Sequence, residues 1–369
     1  MKILQISTPF LPVSPDLRYG GSERIVYLLE KELSLRGLSS GVVAPEGSKP
    51  YGRLYSTLPK AIGVDDVLDK SKSAFNGFAL RASHAAEAIK YANELDVDVV
   101  HLHDDNIIPF DFLINKPSLI TLHSDIDSFW DLSQTPFLRK RKSKFVSISQ
   151  SQKRIQESKG HAVDYVVYNG VEDNFFVSEK TKPYLLTLGT IQQVKGQHNA
   201  IEVAKKAGLD LIVAGNTGDT KYFDERIFPN ITHDLSREED KLGAYLSLED
   251  SGKKVVYVGQ VNDKQKAPLY SHAKAFLMPI EWEEPFGLVM VESMMSGTPV
   301  IAFRRGSIPE VVKEGTGIIV PANSIEAMVK AIEESESIDS ESCRKIALET
   351  FGKKQMVDNY IKIYKNLMS

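Results

Sequence analysis

Short, β-branched apolar runs alternate along this chain with amphipathic stretches. Lys2 to Ile6, Ser40 to Ala44, Val97 to Leu102, Ser118 to Leu122, Phe145 to Ile148 and Ala162 to Val167 each read as a buried strand. The pattern breaks into a polar linker from about Glu172 to Pro183. It resumes with Tyr184 to Gly189, Leu209 to Ala214, Lys254 to Val258, Ala275 to Ile280, Thr298 to Phe303 and Ile318 to Val320. Near-continuous apolar strands separated by helices imply an α/β protein with parallel sheets covered on both faces. Helices are expected at about Ser22 to Leu35, from Gln197, and at about Ser324 to Ser335, Glu341 to Thr350 and Lys353 to Leu367. In the last of these, Met356, Tyr360, Ile363, Tyr364 and Leu367 fall at helical spacing and form a core-facing stripe.

Composition narrows the class. A length of 369 residues suits about two domains, each able to bury its own core. A hydrophobic content of 42%, a charged content of 25% and a net charge of −4 are those of a globular protein without a global attraction for nucleic acid. The single Cys343 excludes an internal disulfide and fits a reducing compartment; within a helix it reads as small filler. MKILQISTPF is too short in apolar residues for a signal peptide, and no later run spans a bilayer, so a cytoplasmic location is expected.

Chemistry concentrates between Met278 and Glu310. An apolar run gives way to an acidic turn at Glu281, Glu283 and Glu284, then to Pro285, Phe286 and Gly287, and then to good helix formers ended by Gly297 and Pro299. These start and stop signals predict strand, loop, helix and strand, with the helix beginning at about Phe286. Glu284 and Glu292 then lie ~12 Å apart along the axis, with the free N–H groups and the positive dipole end between them. A diphosphate suits such an end. A nucleoside diphosphate sugar would set its pyrophosphate on the amides of Phe286, Gly287, Leu288 and Val289, its sugar hydroxyls near Glu284 and its ribose diol on Glu292.

E-P-F-G-L-V-M-V-E followed by S-M-M-S-G-T-P-V-I-A resembles the E-x7-E signature of retaining GT-B glycosyltransferases of the family 4 or glycogen synthase type. The resemblance runs nearly end to end. It implies two Rossmann-like domains, 1–175 and 183–352, facing each other across a cleft, with a C-terminal helix, 353–369, crossing back to the first. Y-G-G-S-E-R, with Gly20 and Gly21, resembles the glycine-rich N-terminal loop that touches the acceptor or the donor phosphate. The T-L-H ending at His123 resembles the strand-end histidine that approaches the donor sugar. His103 and Asp104, ending the preceding strand, fall on the acceptor side. Asn169-Gly170-Val171 resembles N-G-V-D, with Glu172 replacing Asp. Gly189-Thr190, with Lys195-Gly196 beyond, resembles the G-R and K-G that grip the diphosphate, but Thr190 stands in place of the arginine. Arg304 or Arg305 is the expected substitute. Gln260 and Val261 would meet the base, while Lys264 and Lys266 would face solvent.

The resemblance therefore implies a metal-independent, retaining transfer of a hexosyl unit from a nucleotide diphosphate sugar to a carbohydrate, lipid-linked or small-molecule hydroxyl, with no cofactor. His123, Lys195 and Glu284 would be its catalytic residues. Other readings start from the same residues. His101 and His103 project to one face of a strand as a metal half-site would, though no second ligand pair is spaced to complete it. Asp96-Val97-Asp98 and Asp125-Ile126-Asp127 match D-x-D but sit where structural carboxylates are favoured. The run Arg139, Lys140, Arg141, Lys142 and Lys144 reads as a solvated last helical turn, or else as a weak peripheral membrane contact. A non-hydrolysing nucleotide-sugar epimerase and a non-catalytic nucleotide-sugar-binding protein are the rival functions. A dinucleotide oxidoreductase would need a G-x-G-x-x-G that the loop from Ser7 to Gly21 lacks.

Overall fold

The alternation of strands and helices builds two sheets, each in its own unit. One unit comprises Met1–Gly170 with Lys353–Ser369, the other Val171–Gly352. The computed structural model describes residues 1–17, 20–63, 74–126, 141–178, 184–249 and 252–369. Tyr19, Asp127, Arg139 and Lys140 lie outside the described residues.

In the first unit the strands are β1 (Lys2–Ile6), β2 (Ser39–Ala44), β3 (Arg53–Ser56), β4 (Val99–Leu102), β5 (Ser118–Leu122), β6 (Lys144–Ser147) and β7 (Tyr165–Val166). They pair in parallel in the order β3-β2-β1-β4-β5-β6-β7. The reversal of order beside β1 puts the carboxyl ends of β1 and β4 at a switch point, where ligands bind in such sheets. β4 and β5 are buried throughout because helices cover both faces. The expected strand from Ala162 contracts to β7, and β3 was not foreseen, since its half-exposed edge residues carry no apolar run. The first helix, Gly21–Leu35, starts one residue early, capped by Gly20 at φ 110°; Ser22 lies inside it and is not its cap.

The C-terminal helix Lys353–Met368 packs within this unit, burying Met356, Val357, Tyr360, Ile363 and Tyr364. Gly170 permits the approach: a Cβ there would lie 2.9 Å from the Lys353 Cα. Ion pairs of Arg36 with Asp358 and of Lys353 with Glu32 tie the helix to Gly21–Leu35.

The second unit repeats the plan with β8 (Tyr184–Leu188), β9 (Asp210–Ala214), β10 (His233–Asp234), β11 (Val255–Gly259), β12 (Ala273–Met278), β13 (Val300–Phe303) and β14 (Gly317–Val320). All pairings are parallel, in the order β10-β11-β9-β8-β12-β13-β14. The carboxyl ends of β8 and β12, neighbours at the centre of this sheet, carry the Gly189 turn and the acidic turn, respectively.

Candidate active site

The acidic turn after β12 is locked residue by residue. Glu281 accepts from Asn199 at 3.0 Å and lies 3.3 Å from the His198 Nε2, which anchors it to the helix Gln197–Ala207. Glu283 accepts from the Gly306 N–H at 2.6 Å and pairs with Arg305 at 3.6 Å. Between these clamps the Glu284 side chain receives the Lys195 ammonium at 2.7 Å and the Trp282 indole N–H at 3.1 Å on the same oxygen. Lys195 also stands 4.4 Å from the centre of the Trp282 ring, a cation–π contact that holds it in place.

Gly196 makes this geometry accessible. Its φ is 70°, and a Cβ there would lie 1.9 Å from the Pro279 carbonyl oxygen, so the Lys195 loop presses against the end of β12 in a way only glycine allows.

Beyond Glu284 the helix runs Leu288–Met295, two residues later than expected. Gly287 at φ 83° delays its start and caps it without a side-chain hydrogen bond. The Phe286 ring is buried against Phe351, and its carbonyl accepts from the Ser307 hydroxyl at 2.9 Å; Leu288 and Val289 are half-buried. Among the four residues expected to offer amides, Leu288 and Val289 thus form the first helical turn and Phe286 is a packing anchor.

Glu292 is buried, and both of its oxygens are engaged, one by the Lys266 ammonium and the other by the Tyr270 hydroxyl at 3.2 Å. This overturns the expectation that Lys266 faces solvent: it is 6% exposed and also 3.0 Å from Asp263. An ionised carboxylate has about four acceptor positions, so Glu292 retains acceptor capacity beyond these two bonds. The turn after β8 holds Gly189 and Thr190, the latter 3.4 Å from the Asn216 carboxamide. Arg305 is committed to Glu283 and Asn323, whereas Arg304 is exposed. After β11, Gln260 is exposed and Val261 buried.

The first unit assembles its candidates at the carboxyl ends of β1, β4 and β5. His101 is fully buried between the Tyr364 hydroxyl at 2.8 Å and the Thr121 hydroxyl at 2.7 Å. His103 lies between His123 at 3.0 Å and the Gln5 carboxamide oxygen at 2.8 Å. Both rings therefore have protein partners on both nitrogens, which explains their alternate spacing without a metal. Asp104 is buried too, capping the 3₁₀ turn Asp105–Leu113 by accepting from the Asn106 N–H at 3.0 Å. His103 and Asp104, expected on the acceptor side, are thus buried and make no contact with solvent of the kind a surface residue would. Gly20 and Gly21 open the first helix, and Glu23 behind them is buried with the Thr8 hydroxyl on its carboxylate.

The basic run is not a helical turn in its described part. Arg141 and Lys144 pair with Asp164 at 2.8 and 3.1 Å, Arg141 lies over the Phe145 ring, and Lys144 opens β6. Asp96 pairs with Lys2, and Asp125 accepts from Gln156, so both serve as structural carboxylates.

Burial keeps these histidines neutral. It pushes the His123 imidazole down to about 4 and holds His101 and His103 well below the usual 6.5. Burial pushes the Asp104 carboxyl the other way, up to about 6. A histidine with a depressed pKa destabilises the fold as pH falls from 6.5 toward 4, because only the unfolded chain gains protons there. Asp104 acts with the opposite sign over its own window from 3.8 to about 6. Titration of His123 by NMR is expected to give a midpoint well below 6.5, with the ring neutral throughout pH 6 to 8; a midpoint at or above 6.5 would contradict the packing described.

Trp282, Lys266, Tyr270, Ser307, Gln5 and Tyr364 were not singled out as site residues in the sequence. Trp282 had a usable signal, lying two positions before Glu284 inside the acidic turn. Lys266, Tyr270 and Ser307 in the second unit, and Gln5 and Tyr364 in the first, reach their partners from distant elements, without any local pattern.

Comparison with known proteins places the fold. Residues 171–350 match the family model described as Glycosyl transferases group 1, and residues 19–175 match Glycosyltransferase Family 4. An uncharacterized 41.2 kDa protein in the cps region of Klebsiella pneumoniae is 31% identical over 194 residues, 51% of this chain and 48% of that protein. The O-antigen chain mannosyltransferase RfbU of Salmonella typhimurium is 29% identical over 204 residues, 53% of this chain and 52% of the relative. These matches span about half the length of those curated relatives. A phosphatidyl-myo-inositol mannosyltransferase of Mycobacterium tuberculosis is 24% identical over 345 residues, covering 85% and 82% of the two chains. Among solved structures, Anabaena HepE in complex with UDP and glucose superposes with a TM-score of 0.72 at 17% identity, over 99% of this chain and 100% of that one. AviGT4, a glycosyltransferase involved in avilamycin A biosynthesis, gives 0.69 at 19%, over 100% and 98%.

Proposed function

The chain belongs to the family 4, group 1 glycosyltransferases of GT-B fold, and from that premise we propose that it moves a hexosyl unit from a nucleotide diphosphate sugar to a hydroxyl acceptor, with retention and without a metal. The observation that carries this reading is the Lys195 ammonium, held by Glu284 and Trp282 on the turn that leads into the helix at Leu288. A cation next to N–H groups at the positive end of a helix suits a departing diphosphate. Relatives named as mannosyltransferases and a structural neighbour that holds UDP and glucose support a sugar nucleotide as donor. Relatives named for an O-antigen chain and for phosphatidyl-myo-inositol support a carbohydrate or lipid-linked hydroxyl as acceptor.

In this mechanism Lys195 and the amides of Leu288 and Val289 stabilise charge on the leaving diphosphate. Its released oxygen takes the proton of the incoming hydroxyl on the same face. Glu284 orients the sugar, Glu292 accepts from the ribose diol, and His123 accepts a hydrogen bond from a sugar hydroxyl. Most of the rate comes from positioning and from electrostatics aimed at the leaving group. Arg304, exposed after β13, takes the part of the arginine replaced by Thr190.

A thermal-shift panel of UDP, GDP and ADP sugars tests the reading. One nucleotide is expected to raise the melting temperature, since a ligand at about 100 times its Kd adds about 2.7 kcal/mol to stability. NMR of the product should show the donor's anomeric configuration, and EDTA should leave turnover intact. Interconversion of the donor sugar without an acceptor would instead favour an epimerase.

A further inference from the structure

An unbroken file of hydrogen bonds connects His123 to the C-terminal helix through the buried side of its sheet. His123 Nε2 meets His103 Nδ1 at 3.0 Å, and His103 Nε2 meets the Gln5 Oε1 at 2.8 Å. The Gln5 Nε2 donates to the Tyr364 hydroxyl at 3.4 Å, and that hydroxyl meets His101 Nδ1 at 2.8 Å. His101 Nε2 meets Thr121 at 2.7 Å, and Thr121 meets Tyr360 at 2.8 Å. Apart from His123, which is half-buried, every member is buried, so these groups satisfy one another rather than solvent.

Proton counting then assigns each ring. A neutral imidazole has one N–H and one lone pair, and a carboxamide oxygen only accepts. His103 must therefore carry its proton on Nε2, facing Gln5, which leaves a lone pair on Nδ1. His123 satisfies that lone pair from its own Nε2–H. Its single proton is then used inward, and its Nδ1 is an acceptor.

We infer that Gln5 is a positioning residue: by turning its carbonyl oxygen toward His103 it compels His123 to meet the sugar as a hydrogen-bond acceptor. Reversing the amide would reverse the file, placing the His103 proton on Nδ1 and making His123 Nδ1 a donor. The Tyr364 hydroxyl, which can accept as well as donate, takes the Gln5 amide N–H at 3.4 Å in this arrangement. The C-terminal helix thereby closes the far end of the file through Tyr364 and Tyr360. This inference rests on the reading of His123 as a sugar-facing group, but the tautomer itself does not.

The test is a two-bond ¹H–¹⁵N spectrum of the full chain labelled at histidine. The His123 signals are identified as those missing from His123→Gln. The expected result is a protonated Nε2 and an unprotonated Nδ1; a protonated Nδ1 would overturn the inference. Gln5→Met removes the carbonyl that breaks the symmetry. It is expected to give mixed tautomers at His123 and a kcat lowered about tenfold or more by misplaced hydrogen bonding, with the thermal shift given by the nucleotide diphosphate unchanged. Tyr364→Phe, which keeps the ring but frees the amide, should act in the same direction. If both variants keep the wild-type tautomer and kcat, the relay is wrong. Should Gln5→Met fail to fold, the wild-type spectrum and Tyr364→Phe still decide the matter. If no sugar nucleotide supports turnover while the expected tautomer is observed, the proposed activity falls and the relay stands.

Discussion

Replacing Lys195 with alanine is expected to lower kcat/KM for the sugar donor by about 10²–10³-fold, the range seen when one preorganised stabiliser of developing charge is removed. The loss should fall mainly on kcat, because charge on the diphosphate grows as the glycosidic bond breaks. Stability should change little. The Lys195–Glu284 pair is partly exposed, and such pairs contribute about 0–1 kcal/mol. Lys195→Arg should recover only part of the activity, since a planar guanidinium does not reproduce a compact ammonium over the Trp282 ring. Glu284→Gln separates the roles of the pair. If Glu284 only holds Lys195, the double variant Lys195→Ala, Glu284→Gln should be no worse than Lys195→Ala alone. If Glu284 also orients the sugar, the second substitution should add a further loss. Steady-state kinetics on the four proteins of this cycle measures the difference. A kcat of Lys195→Ala within about threefold of wild type would remove the cation from the mechanism, against the 10²-fold minimum expected of such a group.

Much of this site was legible in the sequence because its parts are local. Pro285, Gly287, Gly297 and Pro299 bound one helix, and the two glutamates proposed for the site sit at fixed offsets from its start. Lys195 was legible for the same reason, lying between a strand and the helix that follows. The alternation of apolar runs likewise disclosed both sheets, since strands buried on both faces leave a continuous apolar signature. Strands at the sheet edges were the ones missed: half-exposed Arg53–Ser56 and two-residue His233–Asp234 do not need such a signature. The helix start falls two residues later than expected because Pro285 signals a start at about Phe286, whereas Gly287 takes a positive φ and defers the first turn. Lys266 was misread for a different reason. A lysine in the first turn of a helix ordinarily faces water, and only the fold brings Glu292 to it from 26 positions away. Gln5 and Tyr364, 359 positions apart, meet only because the C-terminal helix packs within the first unit.

Lys266→Met is expected to destabilise the protein by about 3–5 kcal/mol, because removing one member of a buried ion pair strands the other in a medium that solvates it poorly. Met fills most of the lysine stem, so the loss reports the charge more than a cavity. For a unit of this size the melting temperature should fall by about 2–4 °C per kcal/mol. Tyr270 still donates to Glu292, but one neutral hydroxyl does not replace an ammonium. The companion variant Lys266→Met, Glu292→Leu should recover most of the lost stability, since apolar replacement of both members is often neutral. That stable protein is then the right one in which to ask what else Glu292 does. If its remaining acceptor positions hold the ribose diol, the double variant should melt near wild type yet show a much smaller thermal shift with the preferred nucleotide diphosphate. A full thermal shift in that protein would make Glu292 a structural partner of Lys266 alone. The diphosphate would then be held by Lys195 and the helix start at Leu288, without help from the second glutamate.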